Sequence, residues 1–338
     1  MEWSWWKSMK IKWICPHVDS ILTEGAVLGE PVHSWTQWSR VLDDCEIVYG
    51  RHFVPSTDTE RFNECDVVII IGGEHAGKLL LDMREHCDHP KILLAQDGCI
   101  DIFNRMKPQF REQNVKAIKA CDGFLTFHHR ANSFYRLLTD KPIEWVGVPI
   151  PDEIKECRKP ISERDRDLFI IGTRIYSSLN RGGITALMLA KSFAGSKVDI
   201  MGDGRDEKYA RLSGDMSGVE FHPPIDQAEY IKRVAKGFIS IYLDKYGSVG
   251  RVNGDMALLG IPCITTAKSS NGVQLFPDLI VDPEMEVDKA LELIARLRED
   301  ASFYTHCVDY ADKILTEKLG NAPARKRFYA VMENFNGG

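Results

Sequence analysis

Nothing in this 338-residue chain approaches the roughly 20 consecutive apolar residues that a bilayer-spanning helix needs, so no integral membrane contact is expected. The nine cysteines include no C-x-x-C pair. An odd, scattered set excludes a disulfide framework and suits reduced thiols. Zinc-type spacing is missing too: the densest group, His86, Cys87 and His89, has no second pair to complete a tetrahedron, and no metal is expected. No phosphate loop of the G-x-x-x-x-G-K-[ST] form occurs, which disfavours a P-loop kinase. A strand-end D-x-D is also lacking, since Asp165-Arg166-Asp167 lies in a polar stretch. No short repeat recurs at a fixed period. Positive charge is not in excess either. A net charge of −6 argues against a dedicated nucleic-acid binder, although a local basic groove stays open. The opening MEWSWWKSMKIKW has no apolar h-region and does not read as a secretory signal, so the expected compartment is the cytoplasm.

What is there is ordinary globular text, 44% hydrophobic and 27% charged, with length enough for two domains of roughly 150 residues each. Short apolar β-rich runs alternate with helical patterns, the mark of parallel sheets built from βαβ units. In the first half the expected strands are 9–15, 45–50, 66–73, 91–96, 123–128 and 143–148. Several are apolar throughout, which implies burial on both faces. Residues 149–167, PIPDEIKECRKPISERDRD after Val148, are rich in proline and charge and read as a linker. The alternation then restarts with DLFIIG, KVDIMG, VEFH, FISIYL and PCITT, and FPDLIVD is the expected last strand. Three amphipathic helices follow to the C-terminus. The boundaries expected are an N-terminal domain over 1–150, a C-terminal domain over 151–321, and a final helical segment, 322–338, returning to the first domain.

The richest stretch is FISIYLDKYGSVGRVNGDMALLGIPCITT, from Phe238. It reads as a buried strand, a glycine-bearing loop, a short helix and a second strand. Gly247 and Gly250 stand where the helix begins, and a helix N-terminus offers backbone N–H groups and a favourable dipole to an anion. Arg251 adds a planar cation suited to phosphate oxygens. Asp255 lies one turn deeper on the same face. Cation and carboxylate together suit a nucleotide diphosphate and its ribose hydroxyls; a plain surface ion pair is the other reading. Tyr242, Tyr246 and Ser248 extend the loop, one aromatic for base or ribose and the serine for a phosphate. Other strand ends add candidates: Gly172, Thr173, Arg174 and Arg181 suit a pyrophosphate, while Gly202 and Asp203 read as a turn and His222 as a strand stop. In the first half, Gly73, Glu74 and His75 cap one strand. His17 and a loop carrying Gly25 and Gly29 follow another. Asp97 sits just past KILLAQ, where partial burial would tune a carboxylate for general-base work, with Asp101 second. His128, His129 and Arg130, with Phe134, Tyr135 and Arg136, form a basic-aromatic cluster that is either a sugar or nucleic-acid surface or a solvated helix start.

DMALLGIPCIT resembles the second half of the donor-binding signature of glycosyltransferases with the GT-B fold. Aligned on Gly260 and Pro262, the two glutamates of many retaining members fall on Gly247 and Asp255, so the second carboxylate is kept in shortened form and the first is missing. The stretch is also similar to phage DNA glucosyltransferases, whose Arg-Val-x-Glu run matches Arg251-Val252 and departs at Gly254. Arg174 and Arg181 correspond loosely to two arginines of that group, and Ala95-Gln96-Asp97 to the strand end that carries its catalytic aspartate. The resemblance implies an α/β chain of two Rossmann-like domains facing a cleft, with C-terminal helices crossing back. It further implies a UDP- or GDP-linked sugar donor in the second domain, with its base near Gly202, Asp203 and His222 and without a metal, and an acceptor bound by His17, Gly73, Glu74 and His75 in the first. Asp97 would serve an inverting transfer. The acceptor is a hydroxymethylated base in phage DNA, which would place the protein in a host cytoplasm, or a cytosolic glycan, lipid or protein. A nucleotide-sugar epimerase and an inactive nucleotide-sugar-binding homologue are the rival readings.

Overall fold

A computed structural model describes residues 9–16, 23–24, 37–96, 106–172, 182–201, 207–208, 210–211, 214–222, 227–245 and 247–336. The chain divides into two compact units. One comprises Met1–Pro149 with Asn321–Gly338, the other Ile150–Gly320.

The first unit is built on strands β1 (Ile11–Cys15), β2 (Thr23–Glu24), β3 (Cys45–Tyr49), β4 (Val67–Ile71), β5 (Lys91–Gln96), β6 (Gly123–Thr126) and β7 (Ile143–Trp145). They form one sheet in the order β2-β3-β1-β4-β5-β6-β7. Every pairing is parallel except β2 with β3. VVIII of β4 is buried at all five positions, as its unbroken apolarity requires of a central parallel strand. Helices Ala76–His86 and Pro108–Ala120 pack beside each other over this sheet. Glycine is needed where they touch, because a Cβ on Gly77 would lie 2.6 Å from the backbone nitrogen of Asn114. The last helix, Asn321–Asn336, lays Phe328 on two stacked indoles. Trp13 and Trp38 are 5.9 Å apart and nearly parallel, and Phe328 is 6.2 and 5.2 Å from them. All three are fully buried, each worth roughly 1.5–3 kcal/mol of transfer free energy or more.

The second unit has β8 (Leu168–Ile171), β9 (Lys197–Met201), β10 (Val219–His222), β11 (Ile239–Tyr242) and β12 (Cys263–Thr265). Their order is β10-β9-β8-β11-β12 and all pairings are parallel. Strand order therefore reverses between β8 and β11, and in the first sheet between β1 and β4. In open α/β sheets ligands bind at such reversals, beyond the carboxyl ends of the strands.

Two sequence expectations change. FPDLIVD is not a sixth strand: Pro277–Leu279 is a 3-10 turn, and only a single bridge joins Ile280 to Thr265. Proline and aspartate there deny the segment a ladder. The stretch 149–167 is no free linker either. It forms two 3-10 turns, Asp152–Cys157 and Ile161–Glu163, and its Ile150, Ile154 and Arg164 are buried. Arg164 is spent on carbonyls, donating to Lys159 O, to Gly260 O at 2.6 Å and to Leu259 O at 2.5 Å, with Tyr304 Oη 3.1 Å away. A charge-rich run reads as solvated in sequence, yet one of its cations caps a helix end from inside the fold.

Candidate functional site

The helix Arg251–Leu259 follows β11 through Leu243–Gly250 and is buried from Asn253 to Leu259. Both of its ends are left-handed glycines: Gly250 has φ +78° and Gly260 φ +68°. Gly247, at φ +83°, is the third such residue in the segment. Only glycine adopts these angles without strain. Backbone geometry thus accounts for the glycine at position 247.

The loop is held from its far side by the helix Ser270–Leu275. Ser270 N–H donates to Ser248 O at 2.9 Å and Asn271 N–H to Val249 O at 2.8 Å. Ser269 caps that helix, accepting from Gly272 N–H at 3.1 Å, and its hydroxyl donates to Asn253 Oδ1 at 2.6 Å. A Cβ at Gly250 would overlap Ser269 Oγ. Tyr242, 2% exposed, lies beneath the loop, with its hydroxyl 3.1 Å from both Asp244 Oδ2 and Ser248 Oγ. The burial of Tyr242 makes it a support of the loop rather than a face for a base, and Ser248 meets it directly.

Asp255 is 3% exposed. Its Oδ2 lies 3.8 Å from Arg251 Nε, and its Oδ1 is buried without a hydrogen-bond partner among the described residues. Burial pushes its carboxyl up to about 6, against the opposing pull of Arg251. An acceptor oxygen held inside protein with nothing donating to it is costly, and such groups mark a place where a ligand or water completes the bonding. Tyr230, on the Gln227–Val234 helix, lies half-buried close by, and its phenol is raised by desolvation first and by Asp255 second. Gly172, at the end of β8, approaches the first turn of the site helix. A Cβ there would stand 2.6 Å from Val252 Cγ1. Gly172, Gly247, Ser248, Gly250, Arg251 and Asp255 therefore gather where the strand order reverses.

Gly254 also gains its reason. A Cβ at that position would lie 2.7 Å from Ile150 Cδ1, so the space that a longer residue would need is filled by the segment read as a linker.

His222 is drawn into a different network. Its Nδ1 accepts from Arg233 at 2.7 Å, while Nε2 lies 3.4 Å from Asp199 Oδ1 and 3.8 Å from Glu220 Oε2. The three acid and imidazole ligand atoms lie within 4.8 Å of one another, as a metal site would require. An arginine donating to Nδ1 leaves the proton on Nε2, however, and that proton faces Asp199. The network satisfies itself with a resident cation, and a metal would have to displace it. Desolvation raises the Asp199 carboxyl, with His222 pulling the other way.

In the first unit, Gly73, Glu74 and His75 follow β4 at that sheet's own reversal. Asn114 Nδ2 donates to Gly73 O at 3.2 Å, and Gly72 N–H to Ala95 O at 2.5 Å. A Cβ on Gly72 would be 2.5 Å from Gln96 Oε1 and 3.1 Å from Ala95 O, so a larger residue there would displace the Gln96 side chain. Arg51, beyond β3, brings Nη1 to 2.7 Å from His75 Nε2, a partner that no motif in the sequence announces. His128 and His129 stack at 5.3 Å, and His129 meets Trp145 edge-on. Burial, more than the neighbouring charges of His128 and Arg130, lowers His129 to about 4, so it is neutral near pH 7. His17, Asp97, Asp101, Thr173, Arg174, Arg181, Gly202, Asp203 and Tyr246, with Gly25 and Gly29, lie outside the described residues.

No family model matches the sequence, and no curated protein matches it either. Its fold does match known structures. Anabaena HepE in complex with UDP superposes with a TM-score of 0.72 at 9% identity, over 96% of this chain and 100% of that one. A sucrose-phosphate synthase from Thermosynechococcus elongatus gives 0.68 at 13% identity, over 98% and 100%. An alpha-glucosyltransferase in complex with UDP-glucose and DNA containing an abasic site gives 0.67 at 10%, over 96% and 98%. The chain has the GT-B fold, with two Rossmann-like α/β domains. No helix among the described residues is long and apolar enough to cross a membrane.

Proposed function

We propose that this protein is a glycosyltransferase that moves a sugar from a UDP-linked donor to an acceptor hydroxyl. The observation that carries the reading is Asp255: a buried carboxylate with one oxygen unbonded, one turn inside a helix whose N-terminus follows a glycine loop. Ribose hydroxyls would donate to Asp255. The diphosphate would lie against Arg251 and the N–H groups around Gly250, with Arg174 and Arg181 adding charge. Likeness in fold to chains bound to UDP or UDP-glucose supports uridine over guanosine.

Asp97 would take the acceptor proton as the acceptor oxygen attacks the anomeric carbon on the side away from the diphosphate. The bond from that carbon to the diphosphate oxygen breaks, and UDP leaves with the electron pair. Arg251 and the helix terminus stabilise the charge that develops, without a metal. The absence of a glutamate at Gly247 supports inversion over retention. A hydroxymethylated base in DNA is the acceptor to try beside ordinary DNA and simple sugars, given the DNA-bound structural relative.

Calorimetry with UDP, GDP and ADP, followed by assay of UDP release from UDP-glucose, tests the reading. UDP should bind, and Asp97→Asn should keep that binding while lowering turnover by about 10²–10⁴-fold. Failure of all three nucleotides to bind refutes a donor site at this helix. Binding without turnover, and with no effect of Asp97→Asn, would make the protein a nucleotide-sugar-binding homologue.

A further inference from the structure

The chain is acidic overall, yet the described turns after β3, β4 and β6 carry more cationic and imidazole groups than carboxylates. Arg51 and His52 follow β3, His75 follows β4, and His128, His129 and Arg130 follow β6. Glu74 is the one carboxylate among the described residues in those turns. Two of these groups converge. Arg51 Nη1 reaches past the end of β1, which separates β3 from β4, and donates to His75 Nε2 at 2.7 Å. A guanidinium that donates to an imidazole nitrogen fixes that ring as the Nδ1–H tautomer. The pair is also braced. Phe110 meets the His75 ring edge-on at 5.1 Å, and Asn114 pins Gly73 O. It stands at the reversal between β1 and β4, one strand away from β5, after which Asp97 follows Gln96 in sequence.

We propose that the acceptor is a small molecule bearing a phosphate monoester, and that Arg51, set by His75, binds that phosphate. A planar fork of N–H donors matches two phosphate oxygens at once. The acceptor hydroxyl would then point along the sheet edge toward β5. This rests on the glycosyltransferase reading for its chemistry, but not for its binding. The geometry favours a compact anion over DNA. Duplex binding spreads its phosphate contacts along a basic stripe, whereas here the convergence is at one point in a chain of net charge −6.

The test uses the full chain and titrates glucose 6-phosphate, fructose 6-phosphate, mannose 6-phosphate, glucose 1-phosphate and glycerol 3-phosphate against the parent sugars and glycerol. Inorganic phosphate is the minimal probe, and UDP binding is measured separately. At least one monoester should bind where its parent does not, with inorganic phosphate competing. Arg51→Gln should weaken that binding by about 10- to 100-fold, while Arg51→Lys keeps part of it and UDP affinity stays unchanged in both. If Arg51→Gln does not fold, the Arg51→Lys comparison stands alone: an unchanged monoester affinity there, together with equal binding of the parent sugars, overturns the proposal. So does equal binding of phosphorylated and parent sugars by the native chain, a phosphate response that survives Arg51→Gln, or acceptance of hydroxymethylated DNA with no monoester bound. A protein that binds a monoester through Arg51 but never binds UDP would sink the donor reading and leave this one intact.

Discussion

Ser269 Oγ sits 2.6 Å from Asn253 Oδ1, joining the cap of one helix to the third residue of another. One hydroxyl thereby fixes where the Arg251–Leu259 helix begins relative to the loop that precedes it. Ser269→Ala removes this bond and the cap on Gly272 N–H together. It should cost about 1–2 kcal/mol of stability, read by urea unfolding, and weaken UDP binding by about tenfold. Loss of stability with UDP affinity untouched would mean that the loop keeps its shape without this bond.

Gly250→Ala asks a residue with a Cβ to hold φ +78° against the hydroxyl of Ser269. Strain alone costs about 1–3 kcal/mol, and the overlap adds to it. The expected outcome is a lowered Tm and no detectable UDP binding. Ser269→Gly in the same chain should restore part of the stability by opening the space.

Asp255 makes stability and donor binding respond to pH in opposite senses. Its carboxyl titrates at about 6 in the fold against about 3.9 in the unfolded chain. The folded state thus holds this proton more tightly. Its contribution to stability is complete below about pH 4 and is lost as pH rises through about 6. Asp255→Asn should therefore raise the Tm of the ligand-free protein at pH 7.5, by an amount worth on the order of 2–3 kcal/mol. Donor binding needs the ionised carboxylate as acceptor, so UDP affinity should fall as pH drops below 6, and Asp255→Asn should flatten that dependence. A UDP affinity that rises on acidification would contradict the role given to Asp255.

Gly254→Glu drives a long side chain into Ile150, whose Cδ1 would lie 2.7 Å from the added Cβ. The substitution should destabilise by about 1–3 kcal/mol. Ile150→Ala alone should also destabilise, by about 2–4 kcal/mol. The double variant should lose less than the sum, because one change makes room for the other. Strict additivity, measured by denaturant midpoints, would show that the two residues do not share this space.

Much of the fold was legible. The apolar runs KILLAQ and VVIII become β5 and β4, since a strand buried on both faces has no polar alternation to confuse its reading. Gly247 and Gly250 were legible as marking a helix start, and both have positive φ. The helix Ser270–Leu275 was not, because six residues give too little periodicity to recognise. Its signal was the cap, Ser269 before a helix start. Arg51 gave no signal either. It lies just past β3, and its partner His75 is far away in sequence.

By itself the sequence determined the alternation of strands and helices, the glycines that mark the start of the site helix, and the pairing of a cation with a carboxylate one helical turn apart. These follow from local rules of period and backbone sterics, which a chain carries wherever it goes. Tertiary structure alone decided that Asp255 is buried with an oxygen unbonded, that Ile150 occupies the room beside Gly254, and that Arg164 closes the site helix from a segment read as linker. Each depends on which distant groups arrive at a point and exclude water from it, and that is settled only by packing.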